Sequence, residues 1–136
     1  MDYINIDDHL ARHHLADLYL DTFNYNGHTS AVDALYSGIP VITKIGKSFS
    51  SRVCSSILNA CDMSELVTKD ISEYYKLAIK ISKNKSKFED IKYKLNNNKI
   101  DKPLFNTKKY VDNLEKAYSL AFANKNNHNK IKNIIV

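Results

Sequence analysis

Residues 18–40 read LYLDTFNYNGHTSAVDALYSGIP, and this stretch decides the fold. The apolar run Leu18-Tyr19-Leu20 closes at Asp21-Thr22 and predicts a buried strand over Leu18–Asp21. A polar loop, Asn24-Tyr25-Asn26-Gly27-His28, opens into Thr29-Ser30 and an apolar helical pattern over Thr29–Tyr36 that stops at Gly38. Pro40 cannot continue a helix, and Val41-Ile42-Thr43 predicts a second short strand. Elements in this order favour a right-handed parallel crossover, the building unit of an α/β fold.

The same loop is a candidate ligand site. A helix leaves N–H groups unpaired in its first turn and carries partial positive charge there. Thr29 and Ser30 can cap that end, Gly27 allows close backbone approach, and His28 adds a donor at the same mouth. Asp33 falls one turn further in, on the face of Thr29 and Ser30, so the helix start is expected at a concave pocket holding His28 and Asp33. That is a phosphate-binding arrangement. A plain strand–loop–helix connection with a capped helix accounts for the loop equally well, because polar loops of this kind are common.

Spaced blocks outside the loop bear on that choice. His9-Leu10-Ala11-Arg12, Leu15-Ala16-Asp17 and Leu20-Asp21-Thr22 lead into Asn26-Gly27-His28-Thr29; Asp33, Gly38-x-Pro40, Ser51-Arg52-Val53 and Pro103-Leu104-Phe105-Asn106-Thr107-Lys108 follow. In these blocks the chain resembles the C-terminal donor-binding half of the O-GlcNAc transferase family. Those are GT-B glycosyltransferases that move N-acetylglucosamine from UDP-GlcNAc to Ser/Thr of proteins. The similarity runs from Asp8 to about Phe122.

The resemblance implies an α/β, partly Rossmann-like GT-B C-terminal lobe with a short parallel sheet and several helices. It implies a UDP-sugar donor, a protein acceptor and no metal or other cofactor. By the same resemblance His28, Thr29 and Ser30 lie at the diphosphate, Asp33 binds the ribose hydroxyls, His9 stacks on the uracil and Arg12 meets its edge. The chain departs from the family pattern at three places. Ser30 stands where Thr is usual, Ile6 where a lysine is common, and Tyr25 where Cys is frequent. The family's phosphate-facing lysine and acceptor half are expected upstream, so no catalytic residue is expected in this chain, and an N-terminal lobe is an expected partner. A non-catalytic nucleotide-binding or interaction module, or a GT-B transferase for another sugar or acceptor, are the alternative readings.

Composition sets the remaining bounds. At 136 residues, with 43% apolar and 26% charged residues, one globular domain is expected. No 18-residue apolar run and no secretion-type start are visible, so no membrane span and a cytoplasmic location are expected. Cys54 and Cys61, seven apart, fit neither a CxxC nor a zinc pattern and predict two packed, reduced thiols. His9 and His13 share a helical face, yet the H-E-x-x-H pattern of a metalloprotease helix fails and no third ligand is placed, so no metal is expected. Residues 1–68 carry a net charge of −4 and residues 69–136 a net charge of +9. The basic half is rich in Lys and Asn and lacks interleaved Arg and aromatic residues, which favours a solvated surface over a nucleic-acid partner.

Further elements are predicted at Asp7–His14 (helix), Ser48–Asn59 (helix), Glu65–Val67 (strand), Ile71–Ser82 (helix) and Lys85–Asn96 (helix). A break is expected over Asn96–Lys99, a turn at Pro103, and a last helix from a Thr107 cap to Phe122. The donor-binding domain is thus expected over 1–124, with 125–136 a polar, disordered tail. The short sheet should leave an unpaired apolar edge beside Leu18-Tyr19-Leu20.

Overall fold

Three short parallel strands carry the fold in this computed structural model, which describes residues 4–126 and 134–135. Strands β1 (Tyr19–Leu20), β2 (Val41–Lys44) and β3 (Val67–Thr68) lie in the order β1-β2-β3, with Tyr19 opposite Val41 and Thr43 opposite Val67. Six α-helices surround them among the described residues: α1 (Ile6–Ala11), α2 (Thr29–Tyr36), α3 (Val53–Ala60), α4 (Ile71–Ser82), α5 (Lys85–Asp101) and α6 (Thr107–Asn126). Single 3-10 turns cover Arg12–Leu15, Ser64–Leu66 and Pro103–Phe105.

The centre of the molecule is β2. Val41, Ile42 and Thr43 are fully buried, as befits a strand with neighbours on both sides and helices packed against it. Helix α2 sets Ala31, Ala34 and Leu35 against the core, α3 adds Cys54 and Leu58, and α4 and α5 add Tyr74, Ile81, Ile91 and Leu95. Burying each large apolar side chain in this set stabilises the fold by about 1.5–3 kcal/mol relative to exposure.

Helix α2 occupies the span its periodicity predicts, and its end is built as expected. Gly38, at φ 84°, follows the Ser37 cap, its N–H donating to Leu35 O (3.0 Å) while Ile39 N–H donates to Ala34 O (2.8 Å). This paired 6→1 and 5→2 closure needs a left-handed residue at Gly38. Helix α3 closes in the same way with Asp62 (φ 55°) in the left-handed position, beside Lys102 at 3.0 Å.

Elsewhere the structure corrects the expected boundaries. The segment Ser48–Arg52 is a hydroxyl-bonded turn rather than helix, so α3 starts at Val53. The strand expected at Glu65–Val67 begins later, after a 3-10 turn. Strand β1 is not buried. It is the sheet's edge, and Leu20 is 55% exposed.

Helix α5 runs straight through the expected break at Asn96–Lys99. Asn98 explains this, because its buried amide donates to Cys61 O (2.9 Å) and Asp62 O (3.3 Å), closing carbonyls left open at the end of α3. The last helix is capped by Asn106, whose side chain accepts from Lys109 N–H at 2.9 Å, and not by Thr107. Helix α6 reaches Asn126. Its chief contact is the Pro103–Phe105 turn, and Tyr110, Tyr118 and Phe122 stay more than 60% exposed. The expected tail over 125–136 lies mostly outside the described residues.

Candidate functional site

The loop between β1 and α2 is held from below by one carboxylate. Asp21, 3% exposed, accepts from Gly27 N–H (2.6 Å) and from the Thr43 hydroxyl (2.5 Å), while its carbonyl accepts from the Tyr74 hydroxyl (3.0 Å). Asn26 adds a second anchor, its side chain donating to Thr22 O and its N–H to Ser50 O. Gly27 is required at the crossing, since a Cβ there would stand 2.7 Å from Tyr19 Oη and 3.0 Å from Ser30 Oγ.

Four of the expected site residues line up along α2. His28 is the N-cap residue, and no side chain caps the first turn, so neither Thr29 nor Ser30 takes the capping role expected of it. Ser30 Oγ instead lies 3.0 Å from Tyr19 Oη, and both hydroxyl-bearing residues at the helix start are exposed. The first turn thus has no side-chain acceptor for its N–H groups, with the helix dipole behind them. The His28 ring stacks on Tyr25 (centroids 4.8 Å, 17° between planes), and its buried Nε2 has no hydrogen-bond partner among the described residues.

His9 and Arg12 join the strip from outside. Asn5 caps α1, accepting from Asp8 N–H at 2.8 Å, and α1 lies against α2 through two contacts one turn apart. These are His9 Nε2 to Asp33 Oδ2 (3.3 Å) and the Ser37 hydroxyl to Leu10 O (3.4 Å). Arg12 Nη2 donates to His9 Nδ1 at 2.7 Å, and a guanidinium has only donors to offer. The His9 ring proton therefore sits on Nε2, which donates to Asp33. His9, Arg12 and Asp33 form one chain of side chains. Along this strip Arg12, Thr29 and Ser30 are exposed, while His9, His28 and Asp33 are half-buried.

Two residues that sequence reasoning passed over as functional, Asp21 and Tyr19, position this strip. The signal for Asp21 is its place at the carboxyl end of a strand, just before a Gly-containing loop. Its partners Thr43 and Tyr74 lie 22 and 53 residues away. Burial, then the charge of Asp21, push the Cys54 thiol from 9.0 up to about 12 and the Tyr74 phenol from 10.0 up to about 12. Both groups are neutral in the folded chain and ionise more readily once unfolded. Their contribution is fully present below about pH 9 and is lost as pH rises towards 12. The urea midpoint should therefore hold up to about pH 8–9 and fall steadily between about pH 9 and pH 11, followed by circular dichroism. A midpoint that rises over that range would contradict the burial of these two groups.

Cys54 and Cys61 are both buried, unpaired thiols, as expected. His9 and His13 meet edge-to-face at 5.1 Å. Among the described residues no group of three or more His, Cys, Asp or Glu side chains is placed to hold a metal ion, and no helix is long and apolar enough to cross a membrane.

Comparison with known proteins adds to this geometry. The sequence pattern of glycosyl transferase family 41 matches residues 3–114. The chain is 34% identical over 112 residues to the probable UDP-N-acetylglucosamine–peptide N-acetylglucosaminyltransferase SEC of Arabidopsis thaliana, covering 82% of this chain and 12% of that protein. It is 34% identical over 109 residues to the UDP-N-acetylglucosamine–peptide N-acetylglucosaminyltransferase of Caenorhabditis elegans, covering 80% of this chain and 10% of that protein. A solved structure of a Thermobaculum terrenum O-GlcNAc transferase mutant superposes with a TM-score of 0.78 at 27% identity, over 87% of this chain and 23% of that one. The helix-rich α/β arrangement with its short parallel sheet is thus shared with that enzyme, and the chain spans only a small share of the length of each relative.

Proposed function

We propose, from the premise that this chain belongs to glycosyl transferase family 41, that it holds the nucleotide of a UDP-sugar donor. The sugar is N-acetylglucosamine and the acceptor a peptide, matching the activity in the names of its relatives, and the family resemblance makes the acceptor residue a Ser or Thr. The observation that carries this reading is the strip on α2: an uncapped helix start, an unpartnered His28 Nε2 and the His9–Asp33 pair lie along one helix.

In this reading the diphosphate sits at the open N–H groups of the α2 start with the Thr29 and Ser30 hydroxyls and His28 Nε2 as further donors. The helix dipole offsets its charge, so no metal is called on. Asp33 has one oxygen engaged by His9 and one with no partner among the described residues, which suits a ribose hydroxyl beside it. The His9 ring and the Arg12 guanidinium extend the strip towards the base. These residues bind and orient the donor, and no bond-breaking step is assigned to them. Transfer calls on further groups, among them a second lobe that presents the acceptor. Two unpaired buried thiols suit a reducing, cytoplasmic setting.

Calorimetric titration tests the reading. UDP should bind and free N-acetylglucosamine should not, because the groups on the strip serve the nucleotide. Asp33→Ala should weaken UDP roughly ten- to a hundredfold, the range for a lost hydrogen bond to a charged group. UDP affinity unchanged in Asp33→Ala, or matched by simple anions, would reduce the strip to a generic helix terminus.

A further inference from the structure

We propose a second binding site, for a small ligand bearing a phosphate or carboxylate group, in a cavity of about 480 Å³ at the carboxyl ends of β2 and β3. Three lysines from separate segments line it: Lys44 closes β2, Lys47 lies in the loop beyond, and Lys69 follows β3. Ser48, Ser51 and Asn24 supply neutral polar groups, and no Asp or Glu lines the cavity. Ligands of open parallel sheets bind outside the carboxyl ends of the strands, which is where this cavity opens.

The clustering does not follow from a generally basic surface. Residues 1–68 carry a net charge of −4 and only four Lys or Arg, of which two stand here. None of the three lysines forms an ion pair among the described residues. The nearest acids in sequence are already engaged: Asp70 accepts from Glu73 N–H (2.8 Å), and Glu73 accepts from Lys69 N–H (2.9 Å). Lys44 Nζ is held over the Phe23 ring at 5.6 Å, a cation–π contact that fixes the charge without neutralising it. Two other cavities that carry a pair of lysines differ in this respect. Asp17 and Glu89 line the one with Lys83 and Lys85, and Asp17 lines the one with Lys92 and Lys99. Three like charges converging on one concavity cost self-repulsion, and a bound anion removes that cost.

The wall of the cavity is rigid where the anion would sit. Gly46 N–H donates to Ser51 O (2.8 Å), and Ser48 and Ser51 hydrogen-bond each other across a tight turn. The cavity adjoins the strip on α2, because Ser50 accepts from Asn26 N–H and its hydroxyl donates to Asn24 O. The proposal stands on the cavity alone and does not need a nucleotide on α2.

The test is amide NMR of the labelled chain near neutral pH and at constant ionic strength, titrated with pyrophosphate in one arm and citrate in the other. Saturable shifts centred on Gly46–Ser51 and Lys69 are expected, and the tighter arm identifies the group as phosphate or carboxylate. Lys47→Gln and Lys69→Gln, both at exposed positions, should each weaken that binding roughly three- to tenfold, and their combination by about the product. Lys92→Gln should leave it unchanged. Non-saturating shifts, shifts centred on Gly27–Ser30 instead, full affinity in the double variant, or equal weakening by Lys92→Gln would each overturn the proposal.

Discussion

Replacing Asp21 by Ala is expected to lower stability by about 2–4 kcal/mol, since two donors lose a buried charged acceptor at once. Those donors are the half-buried Gly27 N–H and the fully buried Thr43 hydroxyl. Asp21→Asn should cost about half as much. Its amide oxygen still accepts from Gly27 N–H, and the Thr43 hydroxyl can turn to accept from its amide NH₂. Urea unfolding measures both variants. A second readout separates this from simple loss of packing: without the Asp21 charge, Tyr74 should titrate lower, because that charge is the second cause of its raised value after burial. Tyrosine absorbance against pH would show the latest-ionising phenol moving down in Asp21→Asn. An Asp21→Ala chain as stable as the parent would show that the loop is held by something other than this carboxylate.

Gly46→Ala should be nearly as damaging, by about 1–3 kcal/mol, for a steric reason. A Cβ at this position would stand 2.2 Å from Ser51 Oγ and 2.5 Å from Ser51 Cβ, and Ser51 is buried. The turn cannot give way locally. Ser50 is tied to Asn24 and Asn26, so displacement passes to the loop that carries His28. Weaker UDP binding should accompany the lower melting temperature. Adding Ser51→Gly removes both crowded atoms and should recover part of the loss, a coupling that a double-mutant cycle reads directly. Full additivity of the two changes would mean that the clash is relieved elsewhere.

Local signals account for the parts of this molecule that were legible in its sequence. Helix α4 stands where its periodicity places it because Asp70 caps it and Glu73 reaches back to Lys69 N–H, all within five residues. Helix α2 is legible for the same reason, with Gly38 and Pro40 marking its end. What was missed is long-range. Nothing near Asn98 says that a run of three asparagines sits inside a helix; the reason lies in open carbonyls 36 and 37 residues earlier. Leu18-Tyr19-Leu20 reads as a buried strand; the unpaired edge expected beside it is present, but Leu20 on that edge is exposed and not buried. In the candidate site the helix-borne residues were legible. That His9 belongs to the site came from family likeness, whereas its pairing with Asp33 across 24 residues and the anchoring by Asp21 were not seen at all.

Helix α6 has a consequence for how the chain opens. It leans chiefly on the Pro103–Phe105 turn, with Leu114 and Ala117 half-buried and its larger aromatic residues facing water. The sheet, α2 to α5 and the segments between them hold the fully buried side chains, and α6 contributes none among the described residues, so detaching it carries no core side chain away. Partial unfolding of this kind follows the distribution of buried contacts and not the run of helical hydrogen bonds. The twenty residues of α6 can therefore fray and re-form while β2 stays closed, and amide protons along them exchange through this smaller opening. Those of Val41–Thr43 wait for the whole domain to come apart, so the molecule has two thresholds of opening.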